Sequence, residues 1–218
     1  MRQDIKKYLE RRGPLAENEV KDLLKAYKIR TTKYRLVNKL EDLEKIDLKF
    51  PVALKVCSSK ILHKTDVGGV KLGIKNLNEL KDAFKEFRKK FPKEKLLVDQ
   101  MEEGGVEIII GLIQDPTFGL SIMFGIGGIL TEVYKDVTFR VVPIEKIDAE
   151  EMVGEIKAKQ LLEGFRNIPA NKELVIDLIL KVSKLGEELI EHIDQMDLNP
   201  VFVYADDLCV VDAKLILK

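Results

Sequence analysis

The sequence predicts an α+β protein of two lobes, each built on a largely antiparallel sheet, and three observations carry that prediction. Short β-branched runs recur along the chain, mixed with helical stretches, and never settle into a repeating β-α-β unit. Three longer segments place apolar residues at helical spacing. A polar, proline-broken stretch, "KKFPKEKLL", reads as a hinge and divides the chain into lobes over 1–95 and 96–218.

Taken in order, "AENEVKDLLKAYKI" sets Val20, Leu23, Leu24 and Tyr27 on one helical face. The apolar, β-branched run Val52–Cys57 reads as a strand, followed by a polar, glycine-containing loop and a second strand over Val70–Ile74. Asn78 is the expected cap of a second helix, in which Leu80, Ala83, Phe84, Phe87 and Phe91 keep helical spacing until Pro92 stops it. Strands are then expected over Leu96–Gln100, Val106–Ile113, Leu120–Phe124 and Phe139–Val142. A third helix is expected from about Lys172 to Ile193, with strands over Val201–Tyr204 and Cys209–Leu217 closing the chain.

Composition narrows the function. The chain has 218 residues, 45% hydrophobic and 34% charged, which suits a globular protein with a real core. Lys+Arg and Asp+Glu balance at 37 each, so no global field points to nucleic acid or an acidic membrane. No apolar run approaches the roughly 20 residues needed to cross a bilayer. The charged start, "MRQDIKKYLERRGPL", has no signal-peptide core, so a cytoplasmic address is expected. Two cysteines, Cys57 and Cys209, make no disulfide framework and read as small buried residues. Abundant Lys, Glu and Ile with no Trp fit a thermophile.

Five groups of residues are weighed for chemistry. Lys55 stands in the apolar strand "PVALKVCSS", ahead of the loop that holds His63, Lys64, Thr65, Asp66 and the Gly68-Gly69 pair. Strand, flexible loop and strand is a way to drape lysines and amides over phosphates, and equally the shape of a plain surface hairpin. An imidazole such as His63 is able to accept a phosphoryl group and pass it on. In "VDQMEEGGVEIIIG", Glu107 opens a strand where a carboxylate accepts hydrogen bonds from the hydroxyls of a sugar. In "MDLNPVFVYADDLCVVDAKLIL", Asp206-Asp207 reads as a two-residue turn that sets Ala205 opposite Leu208, Val201 opposite Asp212 and Asn199 opposite Lys214. Alternation then gathers Asp197, Asn199, Asp212 and Lys214 on one face, a set of hard donors for Mg²⁺ or a solvated polar face. Gly125, Gly127 and Gly128 serve either a close approach to a ligand or a tight loop. Arg140 is either a phosphate clamp or an exposed charge. His192 reads as an exposed residue at a helix end. With no Ser/His/Asp ordering and no zinc spacing, hydrolase and zinc-enzyme readings fall away.

Together these motifs resemble the ATP-grasp β subunit of ADP-forming acetyl-CoA synthetase, a relative of succinyl-CoA synthetase, over nearly the whole chain. The resemblance implies an ATP-grasp fold whose two α+β lobes clasp a nucleotide, with a mobile histidine loop in the first lobe and a metal-binding hairpin in the second. It implies Lys21 and Lys55 on the nucleotide phosphates, Gln100 and Met101 at the adenine hinge and Glu107 on the ribose. Asn199 and Asp212 would be ligands of Mg²⁺, Asp197 the acid that steadies a phosphohistidine, and His63 the histidine of a phosphoryl relay. The implied reaction is acyl-CoA + ADP + phosphate ⇌ acid + CoA + ATP. The implied partner is an α subunit bearing the CoA and acyl-phosphate domains in an α2β2 heterotetramer. A nucleotide-binding subunit without catalysis, or the same reaction on succinate or an aryl acetate, are the alternatives. Gln100 departs from the Glu usual at the hinge, "LEGFRNIP" departs around Arg166, so no site is expected there, and "FGL" replaces Phe-Gly-Pro after Asp115-Pro116.

Overall fold

The computed structural model describes residues 3–128, 136–165 and 169–218. Contacts divide the chain into two units, one of Ala16–Asn18 and Thr32–Glu102, the other of Met1–Leu15, Glu19–Thr31 and Glu103–Lys218. This differs from the expected split at 95/96, and strand pairing gives the reason. The strand β5 (Lys95–Gln100) pairs with β2 (Tyr34–Val37) and β3 (Val52–Cys57), so the chain stays in the smaller unit past "KKFPKEKLL". At the other end β1 (Gly13–Pro14) pairs with β11 (Ala213–Leu217), which assigns the first residues to the larger unit. Arg166 and residues 129–135 of the glycine-rich run lie outside the described residues.

In the smaller unit an antiparallel sheet runs β2-β5-β3-β4, where β4 is Val70–Ile74. Val52, Leu54 and Val56 alternate onto one face and pack with Leu80, Ala83, Phe84 and Phe87 of α3 (Leu77–Lys90). The intervening residues Ala53, Lys55 and Cys57 point the other way and are buried as well. A lysine in that row therefore needs a partner. The cap of α3 is Asn76, not the expected Asn78: its side chain accepts from the Glu79 amide, 3.0 Å away.

In the larger unit a seven-stranded sheet runs β1-β11-β9-β6-β7-β8, with β10 pairing β9. These strands are β6 (Val106–Asp115), β7 (Gly119–Ile126), β8 (Val137–Val141), β9 (Ile193–Val203) and β10 (Leu208–Val210). Every ladder between these strands is antiparallel, as expected for an α+β chain. Among the described residues the α-helices of this unit are α1 (Gln3–Leu9), most of α2 (Glu17–Ala26), α4 (Lys146–Glu155) and α5 (Lys172–Glu188). Buried residues of α2, α4 and α5 join Ile108, Ile110, Leu112, Ile122 and Leu198 of the sheet in one core. The helix α5 ends at Glu188, short of Ile193, because the apolar spacing switches there to the alternation Met196, Leu198 that belongs to β9. Half-buried His192 lies in the turn between them.

Candidate functional site

In the smaller unit the chemistry gathers around one carboxylate. Glu17, 5% exposed, accepts from Lys55 Nζ through Oε1 at 2.8 Å and from Lys64 Nζ through Oε2. Lys55 donates also to Asp99 Oδ2 at 2.8 Å. Asp99 pairs with Ala53 across the β3/β5 ladder, so it lies diagonal to Lys55 on the same face, within reach of a long side chain. Lys55, Lys64 and Asp99 are all buried, and the alternating charges offset the loss of hydration. Lys55 and Lys64 were legible as lysines of the strand and loop; Glu17, Asp99 and the network that joins all four were not. No short motif links residues this far apart in the chain.

His63 stands beside this network with its imidazole exposed, in the loop between β3 and β4. Lys64, the next residue, turns inward. Gln100 ends β5 and Met101 follows it; the Gln100 amide donates to Lys33 O at 2.9 Å and the Met101 amide to Pro51 O at 3.3 Å. Both amides are thus engaged by the main chain. The Gln100 side chain accepts from the Lys49 amide at 3.3 Å, and Met101 Sδ accepts from the Gly73 amide at 3.1 Å.

In the larger unit Glu107 is half-buried on β6, and its carbonyl accepts from the Gly127 amide at 2.7 Å. A Cβ at Gly127 would sit 3.1 Å from the Glu107 backbone, and one at Gly128 would sit 3.4 Å from Glu107 Oε2. Gly127 and Gly128 therefore let the chain close down on Glu107, a close approach of the chain to itself. Arg140 donates to Glu155 at 2.6 Å and Glu151 at 3.3 Å. These bonds, Glu155 foremost, raise its pKa, so it ties β8 to α4 as a surface ion pair. Lys21 is fully buried in α2.

The hairpin of β9 with β10 and β11 corrects the expected register. Val203 opposes Leu208, Leu198 opposes Ala213 and Asp197 opposes Lys214, two residues away from the pairing that a two-residue turn gives. The turn takes four residues instead, 204–207, closed by the Tyr204 amide on Asp207 O at 2.8 Å. A slip of two preserves the faces, since side chains alternate with period two. Asp197 and Lys214 therefore still share a face.

Asn199 and Asp212 sit where the ladder breaks on both sides of β9. Toward β6, Ile108 opposes Val201 but Ile110 opposes Leu198, so Asn199 and Pro200 form a bulge against Ile109. Pro200 has no amide to offer there. Toward the other edge, β10 stops at Val210 and β11 starts at Ala213, with the Asn199 amide donating to Asp212 O at 3.2 Å. Asp212 Oδ1 accepts from the Ala213 amide at 3.1 Å. The pKa of Asp197 is raised, first by burial and then by the charge of Asp212, while Lys214 pulls it down. Asn199 and Asp212, joined here through the main chain, carry hard oxygen donors of the kind that suit a divalent cation that keeps several waters. Among the described residues no group of three or more His, Cys, Asp and Glu is arranged to cage a metal.

Residues 7–217 match the model of an ATP-grasp domain family. The β subunit of acetate–CoA ligase (ADP-forming) II from Pyrococcus furiosus is 43% identical over 95% of this chain and 93% of its own length. Acetate–CoA ligase (ADP-forming) II from Archaeoglobus fulgidus is 40% identical over 93% of this chain, a match that takes up 30% of that longer protein. Among solved structures, acetyl-coenzyme A synthetase 1 of Ca. Korarchaeum cryptofilum, with coenzyme A and Ca-AMPCP, has a TM-score of 0.89 at 38% identity, covering 98% of this chain and 97% of that one. A second structure of that protein holds coenzyme A and Mg-AMPPCP, its phosphohistidine segment pointing towards the nucleotide binding site; the TM-score is 0.82 at 40% identity, covering 97% and 96%. With the expected two-sheet α+β architecture in place, the chain belongs to the ATP-grasp family, among the β subunits of ADP-forming acetate–CoA ligases.

Proposed function

We propose that the chain binds ADP and ATP with Mg²⁺ and carries a phosphoryl group on His63, as the β subunit of an enzyme catalysing acyl-CoA + ADP + phosphate ⇌ acid + CoA + ATP. The observation that carries this reading is His63 itself, an exposed imidazole one residue from a lysine locked into a buried ion network. Such a side chain is reachable by a phosphoryl donor while its loop keeps a fixed footing.

Lys21 and Lys55 are assigned to the nucleotide phosphates, the Gln100–Met101 backbone to adenine and Glu107 to the ribose hydroxyls. Asn199 and Asp212 would hold Mg²⁺, which supplies charge neutralisation at phosphate oxygens. Asp197 is assigned to steady a phosphohistidine; burial raises its pKa, and the Lys214 cation pulls the other way. In the direction of ATP synthesis the P–N bond on His63 breaks as a β-phosphate oxygen of ADP takes the phosphoryl group, and the imidazole is restored. An α subunit supplies CoA binding and acyl-phosphate chemistry, in keeping with the longer single chain of Archaeoglobus fulgidus, and α2β2 is the proposed assembly. Among the described residues no helix is long and apolar enough to cross a membrane, which is compatible with a proposed cytoplasmic address.

The test is copurification with the α subunit, followed by a panel of acids assayed for ADP-dependent ATP formation. Label from γ-labelled ATP is expected on His63 only with Mg²⁺ and the partner present. His63→Ala is expected to lower ATP formation by about 10³-fold or more, as for loss of a covalent nucleophile. Full activity in that variant rejects the relay, and ADP binding without labelled histidine favours a nucleotide-holding subunit.

A further inference from the structure

We propose that Lys64 is a positioning residue whose ion pair with Glu17 fixes the docked position of the His63 loop; the proposal rests on the relay reading of His63. Thr65, Asp66, Val67 and Gly68 are all exposed, as is His63, and Lys64 alone of that run is turned inward, at 7% exposure. Lysine is almost never buried unless paired, so its direction is set by the carboxylate waiting for it. That carboxylate belongs to Glu17, on α2, far from the loop in sequence.

The main chain fastens the same segment. The Gly69 amide donates to Lys64 O at 2.6 Å, the Gly68 amide to Thr65 O at 2.9 Å, and the Val56 amide to Gly69 O at 2.8 Å. A Cβ at position 69 would come within 3.0 Å of Lys64 O and 3.2 Å of Val56 Cγ2, so glycine is what lets this turn close against β3. Residues 64–69 thus form a closed turn, held to the strand at one end and to Glu17 at the other. His63 is the first residue outside it. The anchor sets where the imidazole stands, and a misplacement of about 1 Å in a reacting group is able to lower a rate by roughly 10²-fold.

Sharing makes the anchor releasable. Glu17 also holds Lys55, so the departure of Lys64 does not strip that carboxylate of a cation.

The test uses the assembled α–β enzyme with Lys64→Met and Lys64→Arg, read by hydrogen exchange of the segment 58–69 and by steady-state ATP formation. Lys64→Met is expected to speed exchange of that segment about tenfold or more. It is expected to lower kcat by roughly 10–100-fold, with KM for ADP changed less than about twofold. Lys64→Arg, which keeps the cation, is expected to restore protection and most of kcat. Unchanged exchange in Lys64→Met overturns the proposal, as does a rise in KM for ADP with kcat intact. Should Lys64→Met not fold, Lys64→Gln carries the same readouts, with a hydrogen-bond donor left for Glu17. Hydrogen exchange separates this proposal from the relay reading: faster exchange in Lys64→Met with full activity in His63→Ala keeps the anchor and rejects the relay.

Discussion

Asp42 accepts from two consecutive amides, Asn38 at 2.8 Å and Lys39 at 3.1 Å, at the start of a 3₁₀ turn over Leu40–Lys45. These bonds, Asn38 foremost, hold its carboxyl below the usual range. Because the folded pKa is the lower one, the stabilisation is present above the unfolded value, about 3.9, and is lost as pH falls through the folded one. Asp42→Ala is therefore expected to lower the melting temperature at pH 7, with the gap to the parent narrowing below about pH 4 in thermal melts. Single residues were unevenly legible in the sequence. Lys55 and Asp212 stood out because each interrupts an apolar strand, and charge there asks for a partner or a ligand. Glu17 and Asp99 carry no such mark, since Glu17 lies in an ordinary amphipathic helix and Asp99 ends a strand. Their importance exists only once the β3/β5 register and the α2 start bring them to Lys55.

At the scale of elements, the strands over 52–57 and 70–74 and the helix ending before Pro92 were all readable from period and punctuation. Boundaries were less so. Both Asn76 and Asn78 are cap-forming residues near the start of α3, and the choice falls to Asn76 because Glu79 stands three residues on. Glu79 returns the bond, accepting from the Lys75 amide at 2.9 Å and the Asn76 side chain at 2.7 Å. Asn76→Ala is expected to cost about 1 kcal/mol of stability and Asn78→Ala only a few tenths, measured by denaturant titration. The C-terminal hairpin teaches a related lesson. Asp206-Asp207 looked sufficient for a turn, yet Tyr204 and Ala205 join it, and only the even size of the slip kept Asp197 and Lys214 on one face. The bulge at Asn199 was not legible, although Pro200, which breaks any ladder it enters, was its one visible sign.

At the scale of the whole molecule, each unit has its own apolar cluster, one around α3 and its sheet, the other around α4, α5 and the seven-stranded sheet. Phe87, 3% exposed and centred in the smaller cluster, is expected to lose about 3–5 kcal/mol on change to alanine. Hydrogen exchange should then rise at Leu54 and Val98 while Ile110 and Leu198 of the larger sheet keep their protection; a uniform rise would show one cooperative unit instead. Period and composition gave the α+β class and two sheets, but the partition was not legible. It depends on Gly13 meeting Leu217, and no local signal announces that contact. That contact also has a history. During synthesis every strand of the smaller unit emerges before most of the larger sheet exists, while β1 and most of α2 wait for β9 and β11. Their apolar residues, Leu15, Val20, Leu23 and Leu24, stay without their final neighbours for most of translation. The larger unit, which carries Glu107, Asn199 and Asp212, is thus the later to mature, and chaperone dependence in the cell should track these early segments.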